Sequence, residues 1–447
     1  MTPDPSTKER PMTPPTGSSP AQECDVLVIG GGPAGSTAAA LLAGQGRRVI
    51  VLEKDSHPRF HIGESLLAWN LPILERLGLM DRVRAFGVFK PGAEFVSDVS
   101  GRSVAFPFAY GIDKSYTNSY QVVRSEFDEM LFRHAGREGA TLLENTRVTS
   151  VAPGHDGARG HVEAVGPDGA KQAFAPRFIL DASGRDTFLA SRAGNKTSNK
   201  YNSTAALFGH FSGVEFRDGD REGYISIHLV DNGWFWMIPL PDGLMSVGFV
   251  GDRVAFEGRK GSPADLFWSR VRASPSVSAR MRNATPLRDI TATGNYSYHA
   301  GQSWGEGYYM IGDAFGFLDP VFSSGVLLAM SSAERGVSVA DAWLKSPKAG
   351  RRAAHRAEQE TRAAMKRVAW LIYRINTPVI RHLFMNPRNE FRMRDGVISL
   401  LAGDFRGKLK TRLPMAVFKA AYYFVLARLW LERDRPQSCP ELERGRR

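Results

Sequence analysis

Short apolar runs and helical patterns alternate along most of this chain, and their order predicts its architecture. Residues 26–29 form an apolar, β-branched run of the kind buried on both faces of a parallel sheet. A glycine turn follows at once, then an alanine-rich segment over 36–43 with strong helix propensity. Residues 48–52 supply a second apolar strand that runs into Glu53. After a loop, Leu66, Leu67, Leu71, Leu74 and Leu77 give helical spacing, and residues 92–108 alternate as an antiparallel strand pair does. Residues 121–133 read as a strand end, a Ser125 N-cap and an amphipathic helix carrying Phe127 and Leu131. Strands are predicted over 141–151 and 161–174, and the apolar run Phe178-Ile179-Leu180 ends in Asp181 and a turn at Gly184. Residues 202–250 are strand-like and aromatic, 308–313 return to an apolar strand, and 326–344 read as a helix. Beyond that the pattern is helical, with turns at Asn386-Pro387 and Gly403-Asp404.

The fold predicted is α/β. A Rossmann-like nucleotide-binding domain over 24–345 carries a β-rich module at about 92–120 and 200–300, and a helical region follows over 346–447. Composition changes this picture little, except at the ends. Residues 1–23 are rich in Pro, Ser and Thr without an apolar export core, and so read as a disordered leader. The two cysteines, Cys24 and Cys439, stand far apart with no CxxC or histidine cluster, which argues against a disulfide framework or a zinc site and fits a reducing cytoplasm. No apolar run of about 18 residues marks a spanning helix. The net charge of +12 is uneven: residues 345–447 hold about 24 basic and 9 acidic side chains, so the rest is slightly acidic. Such a basic region can attract nucleic acid, an anionic lipid surface or an acidic protein, or is simply a solvated helical face; the solvated face is the first expectation and weak peripheral membrane contact the alternative, with no nucleic-acid partner.

Chemistry enters with Gly30-x-Gly32-x-x-Gly35. Gly30 allows a tight turn, Gly32 lets backbone approach a pyrophosphate, and Gly35 lets helix and strand pack closely. The helix N-terminus after Pro33 and Ala34 offers free N–H groups and a positive dipole end to phosphates. Glu53 stands where a carboxylate accepts hydrogen bonds from a ribose diol, which argues against a 2′-phosphate. A glycine triplet is a weak signal by itself; strand, glycines, helix, second strand and acid in register are a strong one.

Three separated segments together resemble the FAD-contact motifs of glutathione-reductase-type flavoproteins: GGGPAG with Glu53, DASGRDT from Asp181, and MIGDAFGFLDP from Met310. That resemblance implies an FAD fold over roughly 24–405. It places Asp313 on the ribityl chain, Arg124 near diphosphate and ribose, and Ser324-Gly325 at the flavin pyrimidine ring. It also makes Lys54, Glu64, Ser65, Asp181, Gly184 and Pro320 cofactor contacts. The block Trp234-Phe235-Trp236-Met237-Ile238-Pro239 resembles the signature of one branch of that superfamily, the flavin-dependent halogenases. Tryptophans at i and i+2 of a strand fill the same face. In the resembling family that bulk keeps an organic substrate off the flavin, so that only a small nucleophile such as chloride reaches it. Taken by itself the block is equally a half-buried core strand.

The same resemblance makes Ser324 and Gly325 a halide cradle and Lys90 the catalytic lysine. An ammonium there would hydrogen-bond hypohalous acid, or a neutral amine would form a haloamine, the second route favoured by burial. A solvated loop lysine is the plain alternative. Asp319-Pro320-Val321-Phe322-Ser323-Ser324-Gly325 lacks the glutamate of the tryptophan-halogenase branch and is closer to the phenol and pyrrole branch. The implied activity is FADH2-dependent halogenation with O2 and chloride or bromide. Its expected partners are a separate flavin reductase and an aromatic substrate, free or held on an acyl or peptidyl carrier protein. The competing readings are a monooxygenase, a geranylgeranyl-reductase-like enzyme, or a non-catalytic flavoprotein.

Overall fold

A computed structural model describes residues 20–194, 196–198, 204–257, 261–294 and 297–431. Most of the leader and Cys439 lie outside the described residues. The first strand, Gln22–Ile29, is central to an eight-stranded sheet, with Val49–Leu52 parallel on one side and Lys171–Asp181 parallel on the other. Thr141–Leu143 and Tyr308–Met310 extend the parallel order outward. A hairpin of Arg147–Ala152 and His161–Val165 joins antiparallel through Lys171–Asp181.

The two-residue period of these strands sorts their side chains between two cores. Val26, Val28, Val49 and Val51 face the helices Pro33–Gly44, Arg124–Arg137 and Ser324–Lys345. Leu27, Ile29, Ile50 and Leu52 face the hairpin, against Val148, Val162 and Phe174. A run apolar at every position is thus a strand covered on both faces, as its composition predicts.

A second eight-stranded sheet runs Thr285–Pro286, Ala205–Ser212, Met245–Gly251, Gly233–Pro239, Ile225–Val230, Gly92–Ser97 and Ser103–Pro107, with Thr291–Gly294 also paired to Ala205–Ser212. Its inner face carries Ile225, Ile227, Trp234, Trp236 and Ile238 into the main core. Its outer face carries Phe235, Met237, Val247 and Phe249 against Phe267, Val271 and Val277 of two helices, Pro263–Ala273 and Pro275–Arg280. Those helices interrupt a module whose sequence reads as strands alone. Past Lys345 the described chain is helical: Pro347–Ile372, Pro378–Met385, Met393–Leu401 and Leu409–Leu431.

Two local readings need correction. The helix expected to start at a Ser125 cap spans Arg124–Arg137 behind an extended Val123, with no side-chain cap. Its first turn is held instead by Arg124, whose guanidinium meets both oxygens of Asp128 one turn on, at 2.8 and 2.9 Å. The leucines after residue 65 do not share one helix: Leu66 and Leu67 precede a 3-10 turn, Leu71 and Leu74 lie in the short helix Leu71–Arg76 that Leu77 closes, and a second short helix, Met80–Phe86, follows.

Candidate active site

A cavity of about 670 Å³ opens between the carboxyl ends of the first sheet and the inner face of the second. Its phosphate end is the glycine turn. A Cβ on Gly35 would lie 1.9 Å from the carbonyl oxygen of Gly30, and one on Gly30, at φ +100°, would lie 2.5 Å from that of Ala182. A Cβ on Gly32 would meet nothing nearer than Arg59 Nη2 at 3.7 Å. Two glycines therefore close the turn, and the third leaves open space in front of an uncapped helix N-terminus with no acid in its first turn. Unsatisfied N–H groups and a positive dipole end facing such a cradle fit a pyrophosphate.

Glu53 is 3% exposed and oriented from both sides: Oε2 accepts from Gly31 N at 2.7 Å and Oε1 from Asp55 N at 3.0 Å. Arg59 approaches it at 3.5 Å and Asp128 at 3.8 Å. Arg124 is buried and also donates to the carbonyl of Ile62 at 2.8 Å. Lys54 pairs with Asp186 at the rim. Asp313 sits in the turn Gly312–Ala314, where burial pushes its carboxyl up to about 6 against the pull of Arg124 and Arg185. The donors, the carboxylates and the open cradle suit a flavin dinucleotide.

Gly30, Gly32, Pro33, Ala34, Glu53, Lys54, Glu64, Ser65, Arg124, Gly184, Trp234, Trp236, Asp313, Pro320 and Gly325 all line this one cavity. Gly35, Asp181, Lys90 and Ser324 do not. Asp181 is fully buried and accepts from Ser183 N at 3.0 Å and Leu189 N at 2.9 Å, so it fixes the turn that presents Gly184. Ser324 is buried as the first residue of the helix Ser324–Lys345, behind a left-handed Ser323 at φ +56°. Gly325 faces the cavity, and a Cβ there would meet only Phe317 at 3.8 Å. Asp319 anchors the loop through Thr204 Oγ1 at 3.0 Å.

Trp234 and Trp236 are buried side by side, centroids 6.0 Å apart. Ser246 Oγ takes the Trp236 indole N–H at 3.1 Å, and Gly248 gives the ring its space, since a Cβ there would lie 2.2 Å from it.

Lys90 lies one layer behind the wall. It closes the short strand Val88–Lys90, paired with Ser119–Gln121, and is 1% exposed. Its ammonium donates to Ser65 Oγ at 2.7 Å and to the carbonyl of Leu66 at 2.8 Å, with the Phe108 ring 5.2 Å away. Burial alone lowers it from 10.5 to about 7. Ser65, which does line the cavity, is its link to that space.

A family model described as FAD binding domain matches residues 23–368. The flavin-dependent halogenase armH3 of Armillaria mellea is 33% identical over 330 residues, 69% of this chain and 65% of that relative. The chain belongs to the flavin-dependent halogenase family. It spans just under two thirds of armH3. The chlorinase of Pseudomonas fluorescens that acts on a 1H-pyrrole-2-carbonyl peptidyl-carrier protein is 30% identical over 337 residues, 69% of this chain and 74% of that one. Among solved structures, the myxobacterial chondrochloren halogenase CndH superposes with a TM-score of 0.74 at 33% identity, covering 78% of this chain and 82% of that one.

In this family member, several wall residues escape sequence reasoning. Arg59 carries a signal of sorts, a cation in the loop before Glu64-Ser65. His210, which holds the wall residue Glu64 without lining the cavity itself, carries none: it meets the fully buried Glu64 across 146 residues of chain, leaving Glu64 Oε2 without a partner. Arg147, Arg185 and Arg192 line the cavity from three different segments.

Proposed function

We propose that the protein is an FADH2-dependent halogenase that uses O2 and halide to chlorinate or brominate an electron-rich aromatic of phenol or pyrrole type. The substrate is either free or carrier-tethered, and a separate flavin reductase supplies the reduced cofactor. The observation that carries this reading is Lys90, a buried amine hydrogen-bonded to neutral groups and held near neutrality, one serine away from a cavity walled by two tryptophans. A pyrrole chlorinase among the relatives supports the carrier-tethered form.

When bound, reduced FAD would supply two electrons that bring O2 to the peroxide level, an oxidant that would take two more from halide to give hypohalous acid and water. The N-terminus of the helix Pro33–Gly44, with Arg59 and Arg124, would hold the diphosphate, and Glu53 and Asp313 the ribose and ribityl hydroxyls. The backbone N–H groups at Ser324-Gly325 would hold halide. Trp234 and Trp236 exclude an organic ring from the space they fill. Lys90 then has two routes. As a neutral amine it takes halogen from hypohalous acid, releasing water, and passes it to the ring, whose proton leaves; as an ammonium it donates a hydrogen bond that polarises the O–halogen bond. A buried lysine at about 7 supplies both forms near neutral pH.

Mass spectrometry of reactions with FAD, a flavin reductase and a panel of phenols, pyrroles and carrier-bound rings tests this directly. Products that gain halogen, and switch mass between chloride and bromide, are the expected result. Hydroxylated or hydrogenated products whose mass ignores the halide overturn it in favour of a monooxygenase or an ene-reductase.

A further inference from the structure

The last described helix, Leu409–Leu431, is apolar on two opposite faces. Thr411, Pro414, Phe418 and Tyr422 are buried, a stripe at helical spacing packed toward the helices Pro378–Met385 and Met393–Leu401. At about 100° per residue, Leu409, Leu413, Tyr423, Phe424, Trp430 and Leu431 fall on the other side. These six are between 49% and 79% exposed. Ala416, Ala420 and Ala427, also exposed, fill the gaps between them. The basic residues Lys410, Arg412, Lys419 and Arg428 lie along both edges of that stripe, and the helix holds no acid at all. Lys410 leans to Asp113 at 3.3 Å and Lys419 packs its ammonium 5.0 Å from the Trp370 ring, so both stay close to the helix surface.

We propose that this helix is a membrane-interface anchor, lying in the headgroup layer of an anionic lipid surface. No helix among the described residues is long and apolar enough to cross a membrane. An apolar stripe along a helix of about 34 Å, with cations on both margins, is instead the pattern of a helix lying in the interfacial plane. The leucines and Phe424 enter the acyl boundary and Trp430 suits the level where ring meets headgroup, while Tyr423, whose hydroxyl accepts from the Trp370 indole at 3.4 Å, marks the edge of the stripe. The Arg412 and Arg428 stems cover apolar surface while their charges reach lipid phosphates. The stripe runs the length of the helix with cations on its margins and no acid beside it, which matches an anionic lipid surface that takes up apolar and basic groups together. This inference stands apart from the halogenation chemistry and adds a docking surface to it.

Full-length protein should co-sediment with vesicles of phosphatidylcholine mixed with anionic phosphatidylglycerol, and far less with phosphatidylcholine alone. The double substitution Phe424→Ser, Trp430→Ser should weaken that binding roughly a hundredfold, the effect of losing two buried large side chains. Its circular dichroism and flavin affinity should stay those of the parent. Arg412→Gln with Arg428→Gln should flatten the salt dependence. Absence of vesicle binding, binding that survives the double substitution, or a dimer or carrier-protein complex that the double substitution dissolves would each overturn the proposal.

Discussion

Lys90 is the residue whose surroundings count most and whose sequence context says least. Its neighbours Phe89 and Pro91 look like loop, and Phe89 is more than half exposed. The burial of Lys90 comes from cross-strand pairing with Ser119 and from Ser65, 25 residues away, so no local pattern reveals it. Lys90→Ala is expected to keep flavin binding and oxygen consumption, yet cut halogenated product roughly a hundredfold or more, in turnover rather than substrate affinity. Lys90→Arg should also fail if the haloamine route operates, since guanidinium stays charged; activity surviving in it would select the hydrogen-bonding route. The haloamine route further predicts a rate that rises with pH through about 7, as the amine becomes neutral. A stability measurement reads the same group without turnover. Folding lowers the lysine from 10.5 to about 7, so between those values the unfolded chain binds more protons and stability rises with pH. Lys90→Met removes that dependence. Its stability relative to the parent, from urea unfolding, should improve by on the order of 4 kcal/mol on going from pH 10.5 to pH 6. An unchanged difference across that window would mean the ammonium is solvated.

At the scale of single elements, the glycine turn and its helix were readable because every part lies within 30 residues and each glycine has its own steric reason. The three glycines also make separable predictions. Gly32→Val should change stability by less than about 0.5 kcal/mol, since its Cβ meets open space, yet abolish the bound-flavin spectrum. Gly35→Ala should destabilise even cofactor-free protein, by about 3 kcal/mol or more, because its Cβ drives into the Gly30 carbonyl. If both variants bind flavin like the parent, the cradle is not a phosphate site. The start of the helix Arg124–Arg137 is not legible for the opposite reason: Ser125 has the right chemistry for a cap, but burial of Arg124 with Asp128 places the cap at Val123, two residues earlier. Tertiary pairing overrode a local preference. Likewise Glu64 was readable as a loop acid, whereas its partner His210 arrives from the second sheet, where periodicity marks only a strand.

For the whole molecule, the cavity is the joint between two sheets, so a ligand filling it touches both. FAD should raise the melting temperature in a concentration-dependent way, equivalent to about 2.7 kcal/mol at a hundredfold excess over its dissociation constant. A midpoint indifferent to FAD would place the ligand elsewhere. The joint also sets a schedule for the living chain. Gln22–Ile29 pairs with Val49–Leu52 soon after both are made, but its other edge waits for Lys171–Asp181, and the last parallel strand of that sheet is Tyr308–Met310, roughly 280 residues on. At about 5–20 residues per second, the opening strands stay unfinished on the ribosome for tens of seconds. Ribosome-bound chains that stop before Tyr308 should therefore be protease-sensitive and held by chaperones, and chains that run past the helix Ser324–Lys345 should be protected. The rate of synthesis, and the supply of chaperones while it proceeds, then govern how much active protein a cell obtains.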